Sequence, residues 1–171
     1  MFFLIFLCFC AFLWLDLRLN ISEVKCMTKM LTQIEAMVNG DAPPAPIARL
    51  IGFNVISVKP GEAVVELQTS EKHFNPMGTV HGGVLCDIVD AAMGIAYAAN
   101  LAEGESFTTL ELKINFLKPV WNSLVRATAR VVKQGQTVGL VECDVTDEKE
   151  KLVAHATSTC LTLRGDQARG R

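Results

Sequence analysis

The sequence predicts an α+β fold in which an antiparallel sheet curls around one long helix. Three observations carry that expectation. A single long helical periodicity, poor in charge, follows a glycine-rich turn between Asn75 and Gly83. Five or six strand-like segments surround it, and clear turn signals at Pro60-Gly61, Gln134-Gly135-Gln136 and Asp147-Glu148-Lys149 separate them. The length of 171 residues is that of one domain.

Taken in order, the chain begins with an apolar run, MFFLIFLCFCAFLWL, inside an N-terminal extension over residues 1–26. The run is shorter than the roughly 20 residues of a membrane-spanning helix. It has the length of a signal-peptide core, yet no positive charge precedes it and no small-residue cleavage site follows. Three readings stand side by side: a start codon assigned too early, with the working protein beginning at Met27 or Met30; a membrane anchor; and a signal peptide. The first places the protein in the cytoplasm, and membrane contact is expected only if residues 1–15 are kept. Asn20-Ile-Ser22 and Arg164-Gly165-Asp166 would matter only in an exported chain.

Residues 27–45 read as a short amphipathic helix and a proline-rich linker. Met30, Leu31, Ile34, Met37 and Val38 recur at helical spacing, Asn39-Gly40 stops them, and Asp41 to Pro46 forms the linker. The main domain spans 46–164. A helical turn through Ile47, Ala48 and Leu50 leads to Gly52, then strands near Asn54 to Lys59 and Glu62 to Thr69. After the long helix, Leu110, Leu112, Ile114 and Phe116 alternate with Thr109, Glu111, Lys113 and Asn115, the pattern of a half-buried strand. Further strands are expected near Leu124 to Lys133, Thr137 to Val145 and Leu152 to Leu163, and residues 165–171 read as a flexible tail.

On the long helix, Val84, Leu85, Ile88, Val89, Ala92, Ile95, Ala96 and Ala99 fill an arc of roughly 140° and are expected to face the core. Asp90 points away from it. Cys86, Asp87, Ala91, Gly94, Tyr97 and Ala98 share the far side, a face so poor in charge that it is expected to pack against the same helix of a second subunit.

The chemistry available here is that of a helix start and a carboxylate. Unpaired N–H groups at Gly82 or Gly83, at the positive end of the helix dipole, would polarise a substrate carbonyl. Asp90 could hold a water or attack directly. Asn75 and Gly78 also fit as plain turn formers.

Asn75, Gly78, His81, Gly82, Gly83 and Asp90, followed by the strand-like TTLELKINFLKPV, resemble the phenylacetate-degradation (PaaI-type) branch of the hotdog-fold acyl-CoA thioesterases. The resemblance covers roughly Pro46 to Leu163. It implies a curved antiparallel sheet wrapped around the helix and hydrolysis of an acyl-CoA to free acid and CoA. It also implies that Asp90 acts on water or on the thioester, that the Gly82 N–H holds the carbonyl oxygen, that Asn75 and His81 orient the carbonyl or the water, and that Thr109 helps hold the water. Family members form dimers, often dimers of dimers, with the active site between subunits. The CoA phosphates need cations, for which Lys113, Lys118, Arg126, Arg130 and Lys133 are candidates. Two other readings of the same fold are a hydratase or dehydratase using His73 and Asp87, and a non-catalytic acyl-CoA binding module.

Composition excludes other classes. A net charge of −2 with no basic tract gives no support to nucleic-acid binding. Cys8, Cys10, Cys26, Cys86, Cys143 and Cys160 lack metal-ligand spacing, and His73, His81 and His155 lie on different elements, so neither metal nor cofactor is expected. Cys86, Cys143 and Cys160 read as buried, reduced thiols.

Overall fold

The computed structural model describes residues 29–169. The apolar run, Asn20, Met27 and three of the cysteines lie outside them. An eleven-residue helix, α1 (Lys29–Asn39), and a short helix, α2 (Pro46–Ile51), lead into the sheet. Pro46 occupies the first turn of α2, where its missing N–H is no loss. Gly52 closes α2 in the left-handed conformation at φ 95°, and its N–H bonds the Ala48 carbonyl.

Six strands follow: β1 (Phe53–Lys59), β2 (Glu62–Gln68), β3 (Ser106–Phe116), β4 (Leu124–Gln134), β5 (Val138–Thr146) and β6 (Leu152–Leu163). They form one sheet of order β1-β2-β4-β5-β6-β3, antiparallel throughout. The long helix, α3 (Gly82–Ala98), enters between β2 and β3 and lies on the inner face of the sheet. Period-two burial makes that face: Val65 and Leu67 on β2, Val125 and Ala127 on β4, and Val141, Cys143 and Val145 on β5 are all fully buried beneath α3. This is the α+β architecture that the strand and helix patterns predict, a sheet wrapped around one helix.

Most of the expected arc of α3 is buried: Leu85, Ile88, Val89, Ala92, Ala96 and Ala99, with Val84 and Ile95 at its half-buried margins. Two residues assigned to the far side belong inside. Tyr97 is fully buried, its hydroxyl 2.7 Å from Thr162 Oγ1 and its ring tilted 56° against Phe107, and Ala98 is buried beside it. A 100° wheel cannot foresee this, because β5 and β6 curl over the last turn of α3 and bring a polar partner to the phenol.

The second half of the domain is held by β-hairpins. In the turn between β5 and β6, Asp147 pairs with Lys118, and its other oxygen accepts the N–H groups of Lys149 and Lys151, both at 2.9 Å. The Lys118 contact, with the two backbone donors, holds the Asp147 carboxyl down at about 2. In the unfolded chain the same group titrates near pH 4. The stability that this turn contributes is therefore complete above about pH 4 and lost as the pH falls toward 2. Denaturant titrations at a series of acidic pH values should show that loss, and Asp147→Asn should remove that part of the pH dependence.

Candidate active site

The turn before α3 is built on its own side chains. Asn75 Oδ1 accepts from the N–H groups of Met77 at 2.9 Å and Thr79 at 3.4 Å, while its Nδ2 donates to Thr79 Oγ1 at 3.0 Å. Gly78 sits at φ 77°, a conformation that side chains resist. A bridge between Phe74 and Val80, and a bond from Val80 N–H to the Val120 carbonyl, tie the turn to the body of the domain. In this chain Asn75 and Gly78 shape the loop.

His81 caps α3. Its Nδ1 accepts the Gly83 N–H at 2.9 Å, which leaves Nε2 to carry the proton of the neutral ring. Gly83 must be glycine for this, since a Cβ there would stand 2.9 Å from that nitrogen. With the Gly83 N–H engaged, the first helical N–H, that of Gly82, has no acceptor among the described residues. Gly82 packs under the ring of half-exposed Phe116, which a Cβ would approach to 2.9 Å.

Asp90 is exposed on α3, and Thr109 Oγ1 donates to its Oδ1 in a long contact of 3.4 Å. Strand alternation alone groups Thr109 with Glu111 and Lys113. A β-bulge at Leu110 breaks that alternation, so Thr109 pairs with Cys160 on the face of Leu112 and Ile114, toward α3. The residues thus gather into two groups. Asn75, Gly78, His81, Gly82 and Gly83 form the turn, and Asp90 and Thr109 form a second cluster eight residues along α3. At 1.5 Å per residue the two lie about 12 Å apart in one chain.

Beside Asp90 opens a cavity of about 930 Å³, walled by α1, the linker, β1 and the face of α3 that carries Gly94 and Ala98. Within this chain the Gly94 and Ala98 end of the small-residue face of α3 is partly packed: Gly94 lies against Phe107, and Ala98 is buried where α1 and its proline linker fold back over α3, while Asp90 on the same face stays exposed. Sequence reasoning missed the roles of α1, Phe53 and Phe107 as cavity walls; the apolar stripe of α1 was the available signal.

The remaining residues divide clearly. His73 is buried, its Nδ1 accepting the Ser70 N–H at 3.0 Å and its Nε2 donating to the Ile51 carbonyl at 2.9 Å. Burial, and then the charge of Asp90, push the Asp87 carboxyl up. Among the candidate cations, Lys118 is paired with Asp147, Arg126 with Glu66 and Arg130 with Glu142. Lys113 and Lys133 are exposed, Lys133 opposite Leu140 near the end of β4. Burial pushes the Cys143 thiol up to about 12 and raises Cys160; Cys86 is only half-buried, where a fully buried thiol was expected. Among the described residues no group of three or more His, Cys, Asp or Glu side chains converges as metal ligands would, and no helix is long and apolar enough to cross a membrane.

A long helix with a carboxylate on it, wrapped by a six-stranded antiparallel sheet and entered through a His-Gly-Gly turn, is the frame of a hotdog thioesterase. The profile of the thioesterase superfamily matches residues 77–154. The 1,4-dihydroxy-2-naphthoyl-CoA hydrolase of Listeria monocytogenes is 36% identical over 109 residues, covering 64% of this chain and 89% of that protein. The acyl-coenzyme A thioesterase PaaI of Escherichia coli is 32% identical over 120 residues, 70% of this chain and 81% of that protein. Among solved structures, a phenylacetic acid degradation-related protein from Ralstonia eutropha superposes with a TM-score of 0.68 at 32% identity, over 75% of this chain and 98% of that one. The chain belongs to the thioesterase superfamily, a family of thioester hydrolases, and has the PaaI-type hotdog fold.

Proposed function

We propose that the protein hydrolyses acyl-CoA thioesters to free acid and CoA, with Asp90 as the reacting carboxylate. The observation that carries this is the placement of Asp90: exposed on α3, touched by the Thr109 hydroxyl, at the edge of an apolar cavity. Asp90 activates a water held with Thr109, or attacks the thioester carbonyl itself. The Gly82 N–H, at the positive end of α3, polarises the carbonyl oxygen. His81 keeps the Gly83 N–H engaged and so fixes the first turn in which Gly82 sits. Asn75 and Gly78 hold the loop in shape.

A span of about 12 Å along the helix is too long for Asp90 and Gly82 of one chain to reach the same carbonyl. The reading therefore requires two copies, with Asp90 of one chain facing the Gly82 turn of its partner. Strand β3 suits such an interface. It pairs only with β6 among the described residues, leaving eleven residues of open edge beside Asp90. Exposed Phe116, Leu117, Trp121 and Met77 flank the turn. Such dimers could stack further into a dimer of dimers. Lys113 and Lys133 are open to the CoA phosphates, whereas Lys118 would first have to leave Asp147.

The alternative hydratase is disfavoured by His73, whose two ring nitrogens are both bonded to backbone groups in a buried setting. A binding module on the same fold would release no CoA. Incubation with acyl-CoAs of different chain types, followed with a thiol-reactive dye, decides between them: CoA release matched by free acid is expected, and its absence across the panel would overturn hydrolysis. Gly82→Val should cut turnover at least tenfold while the protein stays folded, because half-exposed Phe116 can swing aside but the isopropyl group then blocks the carbonyl's approach. Full activity in a folded Gly82→Val protein would remove that N–H from the mechanism.

A further inference from the structure

The amphipathic helix α1 and the proline linker take no part in the chemistry above, yet they close one side of the cavity. We propose that they form the wall of an acyl-chain pocket that runs from Asp90 along α3 to Ala98 and takes an unbranched acyl group of about eight to ten carbons; this rests on the reading of Asp90 as the thioesterase carboxylate.

The length follows from the helix. Asp90, Gly94 and Ala98 are spaced by four residues and lie on one face of α3, each about 6 Å beyond the last, so the floor is about 12 Å long. An extended chain of C–C bonds near 1.5 Å advances about 1.25 Å per carbon, which fills that length with eight to ten. The lining agrees. Met30, Ile34, Phe53, Ile95 and Phe107 present apolar surface, and Gly94, lacking a side chain, keeps the floor open in front of Phe107. Buried Leu31 and Ile34 anchor α1, while half-buried Met30 and Met37 offer adaptable thioether chains to a flexible ligand. Residues far from the reacting carbonyl would then set specificity: Ala98 at the far end of the floor, Met37 in the wall.

The test compares kcat/KM for butanoyl-, decanoyl-, hexadecanoyl- and phenylacetyl-CoA in the wild type, Ala98→Phe and Met37→Trp, with thermal melts and size-exclusion chromatography on each. A buried methylene favours binding roughly fourfold, so decanoyl-CoA should exceed butanoyl-CoA by on the order of a hundredfold or more, with no further gain at hexadecanoyl. Ala98→Phe should lower the decanoyl-to-butanoyl ratio at least about tenfold, and Met37→Trp should lower it in the same direction should Ala98→Phe fail to fold. An unchanged ratio in a folded variant overturns the pocket. So does a wild-type preference for phenylacetyl-CoA, or an Ala98→Phe protein that becomes monomeric with its ratio intact, which would assign the cavity to the partner chain. Binding to Asp90→Asn separates the two proposals. If no acyl-CoA is hydrolysed but decanoyl-CoA binds far more tightly than butanoyl-CoA, the pocket stands and the hydrolase reading falls; equal binding sinks the pocket alone.

Discussion

Asp90→Asn is expected to lower turnover by roughly 10²- to 10⁴-fold, the range for loss of a positioned base, with little change in melting temperature. The structure gives both halves of that expectation. Asp90 is exposed, and among the described residues its side chain makes one hydrogen bond, the long contact of 3.4 Å from the Thr109 hydroxyl, so the fold does not depend on its charge. An amide cannot take a proton from water or attack a thioester, so the chemistry does. Asp87→Asn serves as the control. That carboxyl is one turn away and pushed up by burial and by Asp90, and its loss should change turnover far less. Rates with saturating acyl-CoA, read beside thermal melts, decide the matter; an inactive Asp87→Asn with an active Asp90→Asn would move the reaction to the other carboxylate.

Gly139→Ala is expected to produce the largest loss of stability from a single methyl group. A Cβ at this position on β5 would stand 2.3 Å from Tyr97 Cε2, far inside contact distance. Neither partner can yield. Tyr97 is fully buried, pinned by its hydroxyl to Thr162 and packed against Phe107, and Gly139 is paired in register with Cys160 on β6 and Gln134 on β4. Overpacking of this kind costs about 3 kcal/mol or more, roughly 6 to 12 °C in a domain of this size. Tyr97→Phe should not rescue it, because the clashing ring carbon remains. Tyr97→Leu should, so that the double variant is more stable than the sum of the single losses. Additive losses would show that the strand, and not the ring, absorbs the strain.

How far the sequence could be read depends on which forces are local. Turn chemistry at Pro60-Gly61 and Asp147-Glu148-Lys149, and period-two burial between them, are properties of a few neighbouring residues, and the observed strands fall within a few residues of the expected ones. The His-Gly-Gly turn and the helix that follows were legible for the same reason, as was the outward direction of Asp90. What the sequence placed wrongly depended on a neighbour distant in sequence. Tyr97 was placed outside because its partner, Thr162, lies sixty-five residues away. The setting of His73 was equally out of reach, since its Nε2 meets the carbonyl of Ile51, twenty-two residues away.

By itself, then, the sequence determined the α+β class, the order of the elements, the glycine turn that caps α3 and the carboxylate on that helix, since periodicity and turn propensity are written into adjacent residues. The tertiary structure alone decided three things. A bulge at Leu110 turned Thr109 toward Asp90, α1 and its linker covered Gly94 and Ala98 to make a cavity, and β5 closed so tightly on Tyr97 that only glycine fits at position 139. Each is a matter of how the sheet curls and where a distant segment lands on α3. Those are set by close packing between elements, where every neighbour is fixed by the whole chain at once.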